Sequence, residues 1–502
     1  MHLSLQSTPV ISLQQLLFDV FAYATDSTIL LRGLALHSDV VRPGDAFFAL
    51  KGSVVDGEQY IPAAQAAGAV AVFCEGLAFD LMNQGDCIVI TVPQLRDKMG
   101  AIAAYFYGFP SQHMCVIGVT GTNGKTSSVY LMASLLHLLG RSAALLSTLG
   151  NGRIDAMASS ANTTEHVLDV HYNLACFVQN AVQHVAVEVS SHAIAQQRIA
   201  GVDFDYVVLT NIGEDHLDYH GSVARYAETK MLLFEQCPNS VALVNIDDDY
   251  GLILLERLVK KKRNYIAFGA TSEALLSHPA YIGFSDVHAD LAGTRCTVTS
   301  TWGDGILSTR LLGAWNIPNI LVALAIAASE GIAWSTLLPC FQDVAYIPGR
   351  MMYSQYAGGP LVIIDYAHEA SALKAALIFM RAHVVGEIWT VFGCGGQRPV
   401  ARRASMTTVA QQWSDHVVIT ADNPRDEPFD AIVSDMLSID AKDGIIIEQD
   451  RAAAIRFALQ KARPDDVVFI AGKGHESYQE IAGVRYAHSD TAVVKAYYED
   501  IL

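Results

Sequence analysis

No stretch of this sequence carries the roughly 18 consecutive apolar residues that a bilayer crossing needs, so no membrane span is expected. The opening Met1-His2-Leu3-Ser4-Leu5 lacks a basic segment followed by a sustained apolar run, and no signal peptide is read there. Paired cysteine spacings are missing as well. Cys74, Cys87, Cys115, Cys176, Cys237, Cys296, Cys340 and Cys394 are scattered, which fits reduced thiols rather than a disulfide framework or a zinc site. Positive charge is scarce: 33 Lys and Arg against 51 Asp and Glu leave a net charge of −18. That balance argues against a nucleic-acid surface and for a soluble cytoplasmic protein with no membrane partner. Each basic residue inside a motif therefore gains weight as an anion contact. Low-complexity tracts and short-period repeats are also absent.

What is present is ample core material, since 51% of the 502 residues are apolar, and the length suggests about three domains. The first hundred residues mix short apolar segments with turns at Arg42-Pro43-Gly44-Asp45 and Val55-Asp56-Gly57. An Ala-rich helical stretch at 61–69 and a strand at 69–73 follow. A boundary falls near Phe109-Pro110-Ser111. The central region alternates strand candidates at 115–119, 184–189, 206–210 and 241–245 with helical patterns, which implies a parallel sheet binding ligands at its strand ends. Polar–apolar alternation over 281–312 suggests antiparallel strands, and 317–328 a helix. Tyr346-Ile347-Pro348-Gly349-Arg350 reads as a second linker. Beyond it a fresh α/β series has strands at 361–365, 389–392, 416–420, 444–448 and 467–470. The expected fold is thus α/β in three domains. Residues 1–109 form a small N-terminal domain, 110–346 a central P-loop-type parallel-sheet domain, and 347–502 a C-terminal Rossmann-like domain.

The most informative segment runs from Cys115 to Ser127. An apolar strand turns through Gly121-Thr122-Asn123-Gly124 into Lys125-Thr126-Ser127, followed by a helical pattern at 129–139. Loop N–H groups and a helix start can cradle phosphates; a lysine there reaches the terminal phosphates and the Thr126 hydroxyl can ligate Mg²⁺. The strict P-loop pattern wants a glycine where Val119 stands. A bound nucleoside triphosphate is expected nonetheless. Two polar clusters also follow strands: Glu188-Val189-Ser190-Ser191-His192 with Arg198 beyond, and Asn211 to His220, including His216. A phosphate-loop Thr, a strand-end Glu and a His make a plausible Mg²⁺ environment shared with ATP phosphates.

The ordered motifs Gly-Thr-Asn-Gly-Lys-Thr, Glu-Val-Ser-Ser-His, Asp-His-Leu-Asp-Tyr-His-Gly, Gly-Arg-Met, Asp-Tyr-Ala-His, Gly-Cys-Gly-Gly, Asp-Asn-Pro-Arg and Gly-Lys-Gly-His-Glu span nearly the whole chain. Together they resemble the Mur ligase superfamily, and within it the ligases that add the third residue of the peptidoglycan stem peptide. The resemblance implies an ATP-dependent amide ligase that joins meso-diaminopimelate to UDP-N-acetylmuramoyl-L-Ala-D-Glu through an acyl phosphate. It implies that Gly121, Thr122, Asn123, Gly124, Lys125, Thr126 and Ser127 hold ATP phosphates. Thr126, Glu188 and His216 become metal ligands. Lys230 matches a carbamylated lysine that helps hold a second Mg²⁺, so Lys125, Glu188, His216 and Lys230 form the catalytic set.

By the same resemblance Asn316, Arg350, Asp365 and His368 contact adenine, ribose and phosphate. Ser38, Asn162, Thr163, Thr164, Ser190 and Arg198 grip the nucleotide-sugar peptide. Arg398, Asp422, Asn423, Pro424, Arg425, Gly472 and Glu476 form the amino-acid pocket, where Asp-Asn-Pro-Arg accompanies meso-diaminopimelate because a guanidinium can pair with its distal carboxylate. The implied partners are these small molecules, with the protein a monomer.

The sequence departs from the family pattern in places. His37-Ser38-Asp39 replaces Asp-Ser-Arg, putting an acid where a pyrophosphate is expected. Glu369-Ala370-Ser371, Gln397-Arg398-Pro399, Ser489-Asp490-Thr491 and Met352 also differ from the usual residues. Two rival readings follow: a divergent paralogue joining a different amino acid or acceptor, and a protein that binds ATP and the sugar nucleotide without turnover. Retention of Lys230 beside a full metal set argues against the second.

Overall fold

The computed structural model describes residues 5–52, 56–160, 162–344, 346–437 and 444–499. The first four residues of the opening stretch, and Val55 of the Val55-Asp56-Gly57 turn, lie outside the described residues. The chain divides into two compact units, one of residues 1–285, 297–306 and 317–341, the other of 286–296, 307–316 and 342–502.

The N-terminal part of the first unit is a five-stranded sheet in the order Gly33–Ala35, Asp45–Ala49, Ala71–Glu75, Cys87–Val92, Asp80–Gln84. The first four strands run parallel, and Asp80–Gln84 returns antiparallel at the edge. Phe48, Phe73 and Ile90 enter one core with Leu13, Leu17 and Phe106, whereas Phe47, Val72 and Val89 enter a second with Ala64. Pleating sends successive side chains to opposite faces, and both faces are covered. The Ala-rich helix ends earlier than its composition suggested, at Ile61–Ala66, and the strand after it begins at Ala71.

The second sheet of this unit is organised around Cys115–Thr120. His184–Glu188 pairs parallel on one side and Tyr206–Leu209 on the other. Ala143–Ser147 extends the first side; Val241–Asn245 and Tyr265–Ala270 extend the second, all parallel. Chain order and spatial order part company at Cys115–Thr120, which places a ligand crevice at its carboxyl end. Helix Lys125–Leu138 packs against helix Ile317–Ser329. Its residues from Thr126 through Leu136 are all buried, so it carries no amphipathic stripe.

The region 281–312 adds three more strands, Tyr281–Asp290, Gly293–Ser300 and Gly305–Thr309. Tyr281–Asp290 enters the sheet parallel to its neighbour, through pairs from Ala267↔Tyr281 to Ala270↔Phe284. This pairing is with the strand that precedes the segment, whereas the expected antiparallel direction concerned the strands within 281–312.

The second unit carries a six-stranded sheet ordered Met352–Gln355, Leu361–Asp365, Val467–Ala471, Ile388–Phe392, His416–Ile419, Ile446–Ile447. All pairs are parallel except the Met352–Gln355 edge. Ile363, Phe392 and Phe469 face one core with Leu377, while Val362, Val391 and Val468 face another with Ile455. Burial on both sides explains why these strands read as short continuous apolar runs. The segment at 444–448 yields only the two-residue strand Ile446–Ile447. Among the described residues no helix is long and apolar enough to cross a membrane.

Candidate active site

The phosphate loop leaves Cys115–Thr120 at Gly121, where φ is 150° and a Cβ would stand 1.9 Å from Thr210 Oγ1. Only glycine fits. Gly124, with φ at 85°, sets the left-handed step before helix Lys125–Leu138. Val119 is still in the strand, paired with Glu188 and 1% exposed, so the loop does not need the glycine that the strict pattern puts there. Neighbouring backbone fixes the loop: Thr210 Oγ1 donates to Asn123 O at 2.6 Å, Asn123 N donates to Asn211 Oδ1 at 3.0 Å, and Gly213 N donates to Thr122 Oγ1 at 2.7 Å. Lys125 Nζ donates to Gly121 O and Thr122 O, each at 2.8 Å. Thr126 and Ser127 are buried in the first helical turn. Loop N–H groups, the helix dipole and an ammonium thus converge, an arrangement suited to polyphosphate.

Glu188 and His216 flank this loop from the two adjacent strands. The Glu188 carboxylate is 1% exposed and accepts from Thr148 N at 3.1 Å and Thr148 Oγ1 at 3.3 Å. His216 stands just before the short helix Leu217–His220, its ring 4.7 Å from that of His192 and its Nε2 3.3 Å from Asp215 Oδ2. Burial, reinforced by the charges of Lys125 and Lys230, outweighs Asp215 and lowers its pKa, favouring the neutral imidazole that ligates metals.

Lys230 comes from helix Val223–Gln236 and is 1% exposed. Its Nζ donates to Gly121 O at 2.8 Å and lies 4.5 Å from the centre of the Tyr226 ring. Burial first, then the Lys125 charge, carries its pKa well below the lysine range, which makes the neutral amine accessible. The Thr126 hydroxyl and the Glu188 carboxylate are hard oxygen donors of the kind Mg²⁺ takes. The residues fit that ion.

Thr164 and Ser190 interlock behind Glu188. Thr164 Oγ1 donates to Glu188 O at 2.8 Å, Ser190 N donates to Thr164 Oγ1 at 3.1 Å, and Arg198 Nη1 donates to Thr164 O at 2.8 Å. Thr163 joins through Thr148 Oγ1, which donates to its hydroxyl at 3.2 Å, while Asn162 Nδ2 donates to Glu165 at 3.4 Å. Ser38 stands in the single turn Ser38–Val40, and Asp39 beside it is exposed to solvent. Burial pushes His166 down to about 4, and the positive charges of Arg198, Arg96 and His37 act on it in the same direction.

Several residues here were not singled out from sequence. Thr148 anchors Glu188. Asn319 accepts from Ser128 Oγ at 3.1 Å, and its Oδ1 would meet a Cβ on Gly124 at 2.4 Å. Asn319 is a polar residue in an otherwise apolar helix, and that was the available signal.

The second unit holds a pocket at the carboxyl ends of its strands, lined by Arg398, Asp422, Asn423, Arg425, Gly472 and Glu476 among others. His368 also borders it. Arg425 Nη1 donates to Gly396 O at 2.7 Å, and its Nε is 3.7 Å from Glu480 Oε2. The backbone of Arg425 is left-handed, with φ at 52°, and is pinned because Arg425 N donates to Glu480 O at 3.0 Å. Lys473, unnoticed from sequence as a site residue, is fully buried and donates to Asn423 Oδ1 at 3.0 Å and Glu476 Oε2 at 2.7 Å. It joins two pocket residues that are far apart in the chain. Arg350 stacks 4.4 Å from the Tyr366 ring centre, Asp365 caps Met351 N at 2.6 Å and Ala367 N at 2.7 Å, and Asn316 is buried with its Nδ2 donating to Leu312 O at 2.9 Å.

The sequence matches the Mur ligase catalytic-domain family over residues 31–107, the Mur ligase middle domain over 119–327, and the Mur ligase glutamate ligase domain over 349–474. It is 42% identical over 485 residues to a UDP-N-acetylmuramoyl-L-alanyl-D-glutamate–2,6-diaminopimelate ligase of Xanthomonas campestris, covering 96% of each chain. The chain belongs to the Mur ligase family.

A Mur ligase of Haemophilus influenzae bearing the same enzyme name is 36% identical over 468 residues, 92% of this chain and 95% of that one. A solved structure of a ligase of that name superimposes with a TM-score of 0.68 at 30% identity, covering 98% of this chain and 99% of the other. The three-domain α/β architecture of the Mur ligases therefore holds for this chain.

The departures from the family pattern have local partners. Glu369 pairs with Arg402 at 2.9 Å. Gln397 N donates to Glu427 at 2.9 Å and its Nε2 to Asp426 at 3.0 Å. Asp490 forms a buried pair with Arg451 at 2.7 Å, a structural tie between helices Arg451–Lys461 and Asp490–Glu499. None of these contacts displaces Arg425, Asn423 or Glu476 from the pocket.

Proposed function

We propose that this Mur ligase joins meso-diaminopimelate to UDP-N-acetylmuramoyl-L-Ala-D-Glu at the expense of ATP, in peptidoglycan precursor synthesis. The observation that carries the reading is that one chain holds both a pinned phosphate loop, in its first unit, and a pocket lined by Asp422, Asn423 and Arg425, in its second. Residues 1–109, 110–346 and 347–502 are the domains we assign to the nucleotide sugar, to ATP and to the incoming amino acid.

Lys125 and the loop N–H groups from Gly121 to Ser127 hold the ATP phosphates. Asn316, Arg350, Asp365 and His368 serve the nucleoside and its phosphates. Thr126, Glu188, His216 and carbamylated Lys230 hold Mg²⁺, which neutralises charge on the transferring phosphoryl group. Asn162, Thr163, Thr164, Ser190 and Arg198 grip the peptide, and Ser38 lies on the nucleotide side. Asp39 faces solvent, and Arg96 and Arg198, whose charges both act on His166, supply the positive charge that the family's usual arginine would give. The substrate carboxylate attacks the γ-phosphorus and ADP leaves. The amine of diaminopimelate then attacks the acyl phosphate, its proton passes to solvent, and inorganic phosphate leaves with one former carboxylate oxygen.

That oxygen gives the test. With ¹⁸O in the acceptor carboxylate, one label per turnover appears in phosphate and the nucleotide tripeptide is seen by mass spectrometry; unlabelled phosphate contradicts the acyl-phosphate route. Glu188→Gln keeps the side chain's size but removes a buried charge, and kcat should fall about 100-fold, with a raised Mg²⁺ requirement. Unchanged Mg²⁺ dependence removes Glu188 from the metal set. Lys473→Met leaves Glu476 without its buried cation and Asn423 without its donor, so KM for diaminopimelate should rise at least about tenfold while KM for ATP holds. Steady-state titration of both substrates checks the split.

A further inference from the structure

The opposite ends of the same strands hold a second cluster of chemistry. Cys115 opens Cys115–Thr120 and His184 opens His184–Glu188, and the two are direct partners in the parallel register. Their side chains therefore leave the same face of the sheet. Tyr206, on the next strand, pairs with Ile117, two residues beyond Cys115, and so shares that face. Glu330, directly after helix Ile317–Ser329, reaches the same place. Tyr206 Oη donates to Glu330 Oε1 at 2.7 Å, and Glu330 Oε2 stands 3.8 Å from His184 Nε2. One ligand atom each from Cys115, His184 and Glu330 lies within 4.8 Å of the other two. All of these residues belong to the first unit.

Two observations separate this cluster from a chance meeting of side chains. His184 is only 7% exposed, yet its Nδ1 has no hydrogen-bond partner and its Nε2 is beyond hydrogen-bonding distance of Glu330. The buried imidazole is thus held only by a long ion pair at Nε2, with Nδ1 unsatisfied. The surroundings are also anionic. Glu330 stands 3.8 Å from His184 Nε2, and Asp205, next to Tyr206, accepts from Val116 N at 2.8 Å.

We propose that Cys115, His184 and Glu330 form a binding site for a thiophilic divalent cation such as zinc, at the end of the sheet opposite the phosphate loop. Thiolate, imidazole and carboxylate are three of the four donors of a tetrahedral zinc centre, and water completes it. Ligand atoms around zinc stand about 3.5 Å apart. Contraction from the present spacing, 4.8 Å at most, needs up to about 1.3 Å, within reach of the partly exposed Glu330 side chain. The Tyr206 hydroxyl, bound to the other carboxylate oxygen, orients it as metal-site neighbours do. As the metal binds, the Cys115 sulfur gives its proton to solvent and the thiolate takes up the bond. Mg²⁺ prefers oxygen donors and does not compete for the sulfur. The donors come from three separated segments, which is why cysteine spacing in the sequence gave no sign of the site.

The test is titration of the whole protein with Co²⁺ and Zn²⁺ in excess Mg²⁺, which occupies the phosphate-loop site. One equivalent of Co²⁺ should bind with a thiolate-to-cobalt charge-transfer band, which Zn²⁺ should remove by displacement. Cys115→Ser should abolish the band. Glu330→Gln, which keeps the Tyr206 hydrogen bond and hence the fold, should weaken binding at least tenfold, as should His184→Ala. Absence of the band in the parent protein, or its survival in Cys115→Ser, overturns the proposal.

Discussion

Lys230→Ala should lower kcat by at least about 100-fold while ATP binds with nearly its original affinity. The expectation rests on where the amine sits. Lys230 is 1% exposed, its Nζ is 2.8 Å from Gly121 O, and burial together with Lys125 lowers its pKa well below the lysine range. A buried ammonium at Lys230 and the half-buried one at Lys125 repel beside one loop, and a neutral amine can instead add CO₂ to become a carbamate of opposite charge. That anion would offset Lys125 and give Mg²⁺ a further oxygen ligand. Truncation to Ala also empties space under the loop, so Lys230→Met, which fills the volume without an amine, separates chemistry from packing. Both variants should lose turnover equally. A carbamate carbon signal should appear by NMR when the parent protein is equilibrated with ¹³C-bicarbonate, and both variants should lack it. Full activity in Lys230→Met would remove the carbamate from the mechanism.

The second large effect concerns Arg425. Loss of a charge-assisted bidentate pair with the distal carboxylate of diaminopimelate costs about 2–4 kcal/mol, so KM for that amino acid should rise some 30- to 1000-fold in Arg425→Ala. KM for ATP should not move. Arg425→Lys is the sharper test, because it keeps the charge but not the planar fork, and should still raise KM markedly. The left-handed backbone at this position, φ 52°, and the hydrogen bond of Arg425 N to Glu480 O hold the side chain's origin fixed. The Gly396 carbonyl, 2.7 Å from Nη1, aims one edge of the guanidinium. Binding of L-lysine, which lacks the distal carboxylate, should be weak in the parent protein and little changed in the variants. A parallel loss for both amino acids would mean that Arg425 shapes the pocket rather than reads the carboxylate.

Residues that lie together in sequence were legible before the fold was known. Gly121 to Ser127 is one such stretch, and Asp422 to Arg425 another; each follows a strand, and each stands at a strand's carboxyl end in the structure. Alternating strands and helices gave the parallel sheets, because strands buried on both faces must read as short apolar runs. Tertiary convergence was not legible. Asn319 reaches Ser128 across 191 positions, Thr148 holds Glu188 across 40, and Lys473 meets Asn423 across 50. Hydrophobic periodicity is silent about such polar pairs, since each is one residue among apolar neighbours. Asp39, troubling as a sequence departure, turns out to face solvent.

The most direct measurement of the central claim is phosphate release by the purified protein with ATP, Mg²⁺ and UDP-N-acetylmuramoyl-L-Ala-D-Glu. Parallel reactions would contain meso-diaminopimelate, L-lysine or no amino acid. Release that requires diaminopimelate is the predicted result. Release that is equal with L-lysine, or no release in a protein that binds both ATP and the sugar nucleotide, would contradict it.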